Sequence, residues 1–196
     1  MLALPPAAAP APRRQLLVGT ALACLGVGSL LGAMLAIWLR LRTEALDSGD
    51  GLWVPKAIKV PMVPANTMLI AFLPTCVFAQ WAVYAARRNV RSHAALALTL
   101  VAVIGVAIIN AQAFIYARMK LPVEASDATG FNTMFYALTG TFLVLLVLGI
   151  GFSVVTAFRY LGGRTQDREI VAAHALYWYF LATVFFALWL VVYVTK

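Results

Sequence analysis

Histidine is the first residue type in this sequence that could do chemistry, because an imidazole can bind a metal or carry a proton. The sequence has two histidines, His93 and His174, and each stands near the start of an apolar segment. Two imidazoles at the same membrane face could serve as axial ligands of a haem. The simpler interpretation, which we prefer, is an interfacial imidazole beside Arg91 and an interfacial or packed one among aromatic residues. A Soret band in the absorption spectrum of the isolated chain would decide between the two.

Cysteine adds little chemistry to this sequence. Cys24 and Cys76 each lie near the middle of an apolar segment, and no Cys-x-x-Cys or Cys/His spacing surrounds them. Such spacings are typical of metal sites. We interpret both cysteines as small apolar residues in helix packing. The sequence therefore predicts no metal ligands.

Acid–base catalysis and ion transport need charged groups at protected positions. A charge held inside a membrane is the usual sign of proton or ion movement, and the apolar segments contain none. We find no paired carboxylates, no Ser/His/Asp set and no Gly-rich phosphate loop. The sequence thus predicts no catalytic residue and no cofactor bound by this chain. A small transporter or membrane enzyme built around Asn110 and Gln112 remains an alternative, and substrate flux into liposomes would test it.

The composition indicates what kind of secondary-structure elements must position these residues. Of 196 residues, 63% are hydrophobic and 11% are charged, whereas a soluble domain has about 25% charged residues. This difference excludes a soluble monomer. It also excludes a nucleic-acid partner, despite a formal net charge of +8.

Five long segments contain no Asp, Glu, Lys or Arg. They are residues 15–39, 60–86, 92–117, 128–158 and 170–195. A bilayer core needs roughly 20 apolar residues per helix, so each segment holds one span. Continuous apolar runs without alternation exclude barrel strands. The sequence predicts an all-α bundle of five transmembrane helices, at about 15–39, 65–86, 93–117, 131–158 and 170–194, after a Pro/Ala-rich tail at 1–14.

Basic residues give the orientation of these helices. Arg13 and Arg14 directly precede the first helix, and Arg87, Arg88 and Arg91 form the densest basic cluster, between helices two and three. Positive residues favour the cytoplasmic side. We therefore predict a cytoplasmic N-terminus and an external C-terminus. The same three-arginine cluster is also a candidate site for anionic lipid.

Two further groups are candidate contact residues. Gly28 and Gly32 have the G-x-x-x-G spacing that permits close helix approach in membranes. Tyr177, Trp178 and Tyr179 belong to the aromatic fifth helix and are candidates for a lipid or interface position. The alternative for these aromatic residues is ordinary helix packing.

Four motifs, in order along the chain, resemble one known family. The first begins at Pro64 with Pro-Ala-Asn-Thr-Met-Leu and leads to Phe-Ala-Gln-Trp-Ala. The second begins at Asn110 and is Asn-Ala-Gln-Ala-Phe-Ile-Tyr. The third, Phe-Tyr-Ala-Leu-Thr-Gly, begins at Phe135, and the fourth, Tyr-Trp-Tyr-Phe, begins at Tyr177. The set is similar to the five-helix form of subunit III of haem-copper oxidases. The resemblance covers about 180 residues and implies the same scaffold of helices.

The sequence departs from that family at polar positions. Ile115 replaces a glutamate of helix three, Phe142 and Leu145 replace two histidines of helix four, and Tyr179 and Ala182 replace a His and an Asp of the last helix. The family associates such residues with lipid headgroups and proton uptake. These departures leave any role in proton entry open.

The resemblance implies an accessory, non-catalytic subunit of a respiratory terminal oxidase in the bacterial cytoplasmic membrane. Its partners would be catalytic subunit I, subunit II and phospholipids. Haem and copper would lie in the partner subunits. Two alternatives keep the same scaffold: a subunit III-like protein of a nitric oxide reductase, and a divergent paralogue attached to a respiratory supercomplex.

Overall fold

The computed structural model describes residues 14–48, 52–55, 58–122, 130–163 and 168–195. Nearly all of the Pro/Ala-rich tail, including Arg13, lies outside these ranges. The described residues form five α-helices: α1 (Gln15–Asp47), α2 (Met62–Arg87), α3 (Arg91–Met119), α4 (Gly130–Leu161) and α5 (Arg168–Leu188). Each is long and apolar enough to cross a membrane. No strand occurs in these ranges, which confirms the predicted all-α fold class.

The helices continue past the apolar segments at several ends. The clearest case is α1, which runs to Asp47 although its charge-free segment ends at residue 39. Arg40 and Glu44, four residues apart, form a salt bridge with Nε and Oε1 2.8 Å apart. Such pairs support a helix in water, so α1 extends beyond the hydrocarbon instead of ending at its edge.

A short turn joins α2 to α3. Asn89 has φ of 57°, a left-handed conformation that asparagine adopts more readily than most residues. The backbone N–H of Val90 donates to the carbonyl of Ala85 at 3.0 Å. This turn makes α2 and α3 antiparallel neighbours and leaves Arg87, Arg88 and Arg91 exposed at one end of the bundle.

Helix α5 organises the bundle. It packs against α1, α2 and α4, while α3 packs against α2 and α4. Helix α1 is peripheral, since 17% of its most apolar stretch is buried against 28–33% for the other helices. Its buried residues, Cys24, Leu31 and Trp38, lie on one side.

After Leu188 the last helix widens into a π-helical segment, Trp189–Val194. The buried side chains of this segment are Val192 and Tyr193. The Tyr193 hydroxyl donates to Gln112 Oε1 of α3 at 3.1 Å. The π segment therefore brings a polar aromatic side chain into the core, where it meets a buried amide.

One carboxylate links the starts of α1 and α5. Glu169, in the first turn of α5, accepts a hydrogen bond from the backbone N–H of Leu17 at 3.0 Å. Helix α1 has no acidic residue in its own first turn and no side-chain cap at Arg14. A carboxylate near a helix N-terminus is favourable. Glu169 thus serves two parallel helices at once.

Candidate functional site

The positions that depart from the family motifs lie mainly in the core. Ile115, Phe142 and Leu145 are all buried. The Phe142 ring lies 5.2 Å from that of Phe185 and 6.1 Å from that of Phe72, centroid to centroid. Aromatic packing between α2, α4 and α5 therefore surrounds Phe142.

His174 lies within a buried hydrogen-bonded group between α4 and α5. Its Nε2 is 2.7 Å from Ser153 Oγ, and the Trp178 indole N–H lies within 3.1 Å of Ser153 Oγ and 3.0 Å of His174 Nε2. Ser153 Oγ is also 3.0 Å from the Gly149 carbonyl oxygen. All three side chains are buried.

One tautomer satisfies the donors of this group. If Nε2 carries the proton, His174 and Trp178 both donate to Ser153 Oγ, and the serine hydroxyl donates to Gly149. The other tautomer would bury an Nδ1–H donor, because Nδ1 has no partner among the described residues. An unsatisfied buried donor costs about 1–3 kcal/mol. The tautomer with the proton on Nε2 is therefore the one that leaves no donor of this group without an acceptor.

The two histidines have separate surroundings. His93 is exposed at the start of α3, with its ring 5.7 Å from that of Trp81. His174 has its Nε2 engaged and its Nδ1 without exposed surface. This arrangement favours the packing interpretation of His174 over a role as a haem ligand.

Close helix approach in this bundle occurs at two glycines that the sequence pattern did not single out. A Cβ at Gly105 would lie 2.8 Å from Trp178 Cη2, and one at Gly149 would lie 3.0 Å from Tyr177 Cε1. These two glycines of α3 and α4 admit the α5 aromatic residues. Gly105 has no small residue four positions away, and Gly149 has only Ser153, so the G-x-x-x-G spacing gave no signal. A glycine opposite the aromatic residues of α5 would have indicated such a packing site.

The predicted pair Gly28 and Gly32 does not mark an unusually close contact between helices of this chain. A Cβ at Gly28 would lie 3.4 Å from Phe180 Cε2, in ordinary contact, whereas Gly32 is exposed and no described atom would lie within 4 Å of its Cβ. Beside Gly28, between α1 and α5, lies an open groove of about 670 Å³. Its walls include Cys24, Gly28 and Ser29 from α1 and Tyr179, Phe180 and Thr183 from α5. We call it the α1–α5 groove.

The three aromatic candidates divide between core and surface. Trp178 is fully buried, so it packs inside the protein and does not face lipid. Tyr177 is half-buried and donates from its hydroxyl to the Leu145 carbonyl at 2.8 Å. Tyr179 lies at the α1–α5 groove and donates to Gln80 Oε1 at 2.9 Å.

The arginine cluster Arg87, Arg88 and Arg91 is exposed at one end of the bundle. The Arg88 guanidinium lies over the Tyr84 ring, 4.5 Å from its centroid. Nearby, Arg168 donates to Asn89 Oδ1 at 3.3 Å. The arginine cluster therefore lies where α2, α3 and α5 meet, and we call Arg87, Arg88 and Arg91 the basic rim.

Asn110 and Gln112 do not form one site. Gln112 is buried and accepts from Tyr193, while Asn110 is exposed on the outside of α3. Residues two apart on a helix point to opposite sides. The geometry gives no support to a transport or catalytic site built from this pair.

These features define a class: a five-helix, multi-pass integral membrane protein with an aromatic core and polar contacts that are structural. The family model of cytochrome c oxidase subunit III matches residues 45–196, well over half of the chain, and the chain belongs to this family. A comparison with curated protein sequences gives no significant match. In this family subunit III is a non-catalytic component that associates with the oxidase core and does not itself bind haem or copper.

Proposed function

We propose that this chain is the accessory subunit III-like component of a bacterial respiratory terminal oxidase. It would contact catalytic subunit I and, through the complex, subunit II. It would support assembly of the complex, retention of phospholipids and stability of the catalytic subunit during turnover. The observation that carries this proposal is the family match, which spans four of the five helices completely.

The interior of the bundle supports a structural role. The intramembrane core consists of aromatic and aliphatic side chains, and one group of its buried polar side chains, Ser153, His174 and Trp178, is joined by hydrogen bonds. Proton transport needs ionisable groups along a path. A core of this kind is suited to holding a scaffold, while the redox chemistry takes place in the partner subunits.

We also propose that the basic rim at Arg87, Arg88 and Arg91 faces the cytoplasm. Positive residues concentrate on that side of inner-membrane proteins. In this orientation α1, α3 and α5 begin at the cytoplasmic face. The rim would lie at the level of anionic lipid headgroups, which attract exposed arginines.

Purification of the tagged chain from a host that expresses the complete oxidase tests the proposal. We expect subunits I and II to co-elute, together with haem absorption in a constant ratio to the chain. Deleting the chain should shorten the lifetime of oxidase activity during continuous turnover. Recovery of a stable, haem-free, solitary protein would refute the proposal.

A further inference from the structure

One buried hydroxyl of the bundle lacks the hydrogen bond that comparable hydroxyls make. Inside a helix, threonine and serine can donate to the carbonyl four residues earlier, which satisfies the hydroxyl within its own helix. Among the described residues, the buried hydroxyls of Thr75, Thr139 and Ser153 all do so. Thr156 of α4 is fully buried, yet its hydroxyl has no partner in the part of the chain that the structure describes. This hydroxyl therefore needs a partner that its own helix does not supply.

A second polar atom without a partner lies close by. His174 Nε2 is bonded to Ser153, and with Nε2 protonated the opposite ring nitrogen, Nδ1, presents a lone pair. No described residue donates to this lone pair, and the imidazole is fully buried. Ser153 and Thr156 are neighbours on one side of α4, with about 5–6 Å between their Cβ atoms. The histidine nitrogen and the threonine hydroxyl therefore lie in the same part of the contact between α4 and α5.

The chemistry of these two atoms selects the molecule that joins them. Nδ1 needs a donor, and the hydroxyl can give its proton to an acceptor, so the missing partner must both donate and accept. A water molecule does both, and it bridges atoms up to about 5.6 Å apart because each hydrogen bond is about 2.8 Å long. One imidazole and one hydroxyl are too few ligands for a metal ion. A lipid headgroup cannot reach two side chains that have no exposed surface.

The buried polar groups of α4 continue toward the end of the helix beside the basic rim. Tyr160 follows Thr156 by one turn, and its hydroxyl is also buried without a partner among the described residues. Helix α4 ends at Leu161, so Thr156 is about 7.5 Å from that end along the axis. Water therefore has a short route into the bundle, and polar groups lie along it.

We propose that one water molecule is bound inside the bundle between α4 and α5, where it donates to His174 Nδ1 and accepts from the Thr156 hydroxyl. It extends the hydrogen-bonded group of Ser153, His174 and Trp178 by one turn toward the basic rim. The water joins two helices through polar atoms whose burial without partners is unfavourable. This site belongs to the chain itself and needs no partner subunit, so it stands or falls separately from the proposed function.

Nuclear magnetic resonance of the full-length chain in liposomes detects this water. The sequence has two histidines, so labelling of histidine with the nitrogen-15 isotope gives two sets of imidazole signals, and His93→Gln assigns them. Magnetisation transferred from water protons should reach Nδ1 of His174 in the wild type and should be lost from it in Thr156→Val. The exposed His93 contacts solvent in both proteins and is the internal control.

The stability of matched variants gives a second test, because a hydrated and a dry site predict different results. Valine keeps the shape of threonine and removes the hydroxyl. Loss of a hydrogen bond to water in Thr156→Val should raise the unfolding equilibrium constant about fivefold. In a dry site the hydroxyl has no bond to lose, and the constant should stay the same or fall. Thr75→Val is the control, because its buried hydroxyl bonds to the Ala71 carbonyl of its own helix, and it should change the constant by less than about twofold.

Each measurement has a result that overturns the water site. Absence of water transfer to His174 in the wild type does so, and this result does not depend on the folding of a variant. Retention of the transfer in a Thr156→Val protein with a native circular dichroism spectrum also does so. A Thr156→Val variant as stable as the wild type shows a dry site. Equal losses in Thr75→Val and Thr156→Val overturn the proposal as well, because removal of any buried hydroxyl would then suffice.

Discussion

Substituting alanine for Gly105 should destabilise the bundle, although alanine is the better helix former. A Cβ at this position would lie 2.8 Å from Trp178 Cη2 and 3.0 Å from Ile150 Cγ1. Trp178 cannot swing away, because it is fully buried and its indole N–H is bonded to Ser153. Overpacking a well-filled core costs about 1–3 kcal/mol.

A matched glycine removes the contribution of helix propensity. Gly151 is exposed on α4, and no described atom would lie within 4 Å of its Cβ. Gly→Ala in a helix gains about 0.5–1 kcal/mol, and both variants share this gain. Gly105→Ala should therefore be less stable than Gly151→Ala by about 1–3 kcal/mol, the overpacking cost alone. Reversible unfolding in mixed detergent–SDS micelles, followed by circular dichroism, measures the difference.

A double-mutant cycle with Trp178 tests the cause. Trp178→Phe removes the indole ring atoms that a Cβ at Gly105 would meet. In that background Gly105→Ala should lose the part of its penalty that Trp178 causes, while the Ile150 contact remains, giving a coupling free energy of about 0.5–3 kcal/mol. Equal effects of Gly105→Ala in both backgrounds would refute the packing argument, as would equal stability of the Gly105 and Gly151 variants.

Two further predictions concern the polar contacts. Glu169→Ala removes the acceptor of the Leu17 N–H and should lower the free energy of unfolding by about 0.5–2 kcal/mol, the range for a helix cap. Unfolding in detergent–SDS micelles measures this loss, and an unchanged midpoint would contradict the capping role. His174→Ala opens a cavity beside Ser153 and should lower the free energy of unfolding by about 2–4 kcal/mol. The same substitution at the exposed His93 should change that free energy by no more than about 0.5 kcal/mol. Similar losses for both variants would show that burial is not the cause.

The sequence predicts the fold class well because the physics of the bilayer acts on single residues. A charged side chain inside hydrocarbon is costly wherever its helix packs, so uncharged runs mark spans without knowledge of contacts. The ends of the helices follow a different rule. Beyond the membrane, the Arg40–Glu44 salt bridge supports α1 in water. The end of the charge-free segment therefore does not predict the last residue of the helix.

The packing sites could not be predicted in the same way, because they join residues from different helices. The G-x-x-x-G spacing of Gly28 and Gly32 records that α1 permits close approach, not that another helix of this chain uses it. Gly105 acquires its role from Trp178, far along the chain on α5. The sequence alone also left the surroundings of His174 open, since its partner Ser153 lies on α4.

Helix α1 leaves the ribosome before the other four described helices, yet its main contacts are with α4 and α5, which are synthesised after α2 and α3. The carboxylate that caps its start, on Glu169, is made 152 residues after Leu17. While the middle of the chain is being inserted, α2 and α3 can already form their hairpin, whereas the main partners of α1 have not yet been made. The described bundle is thus closed by contacts between its first and its last helix, which form only after α5 has been synthesised.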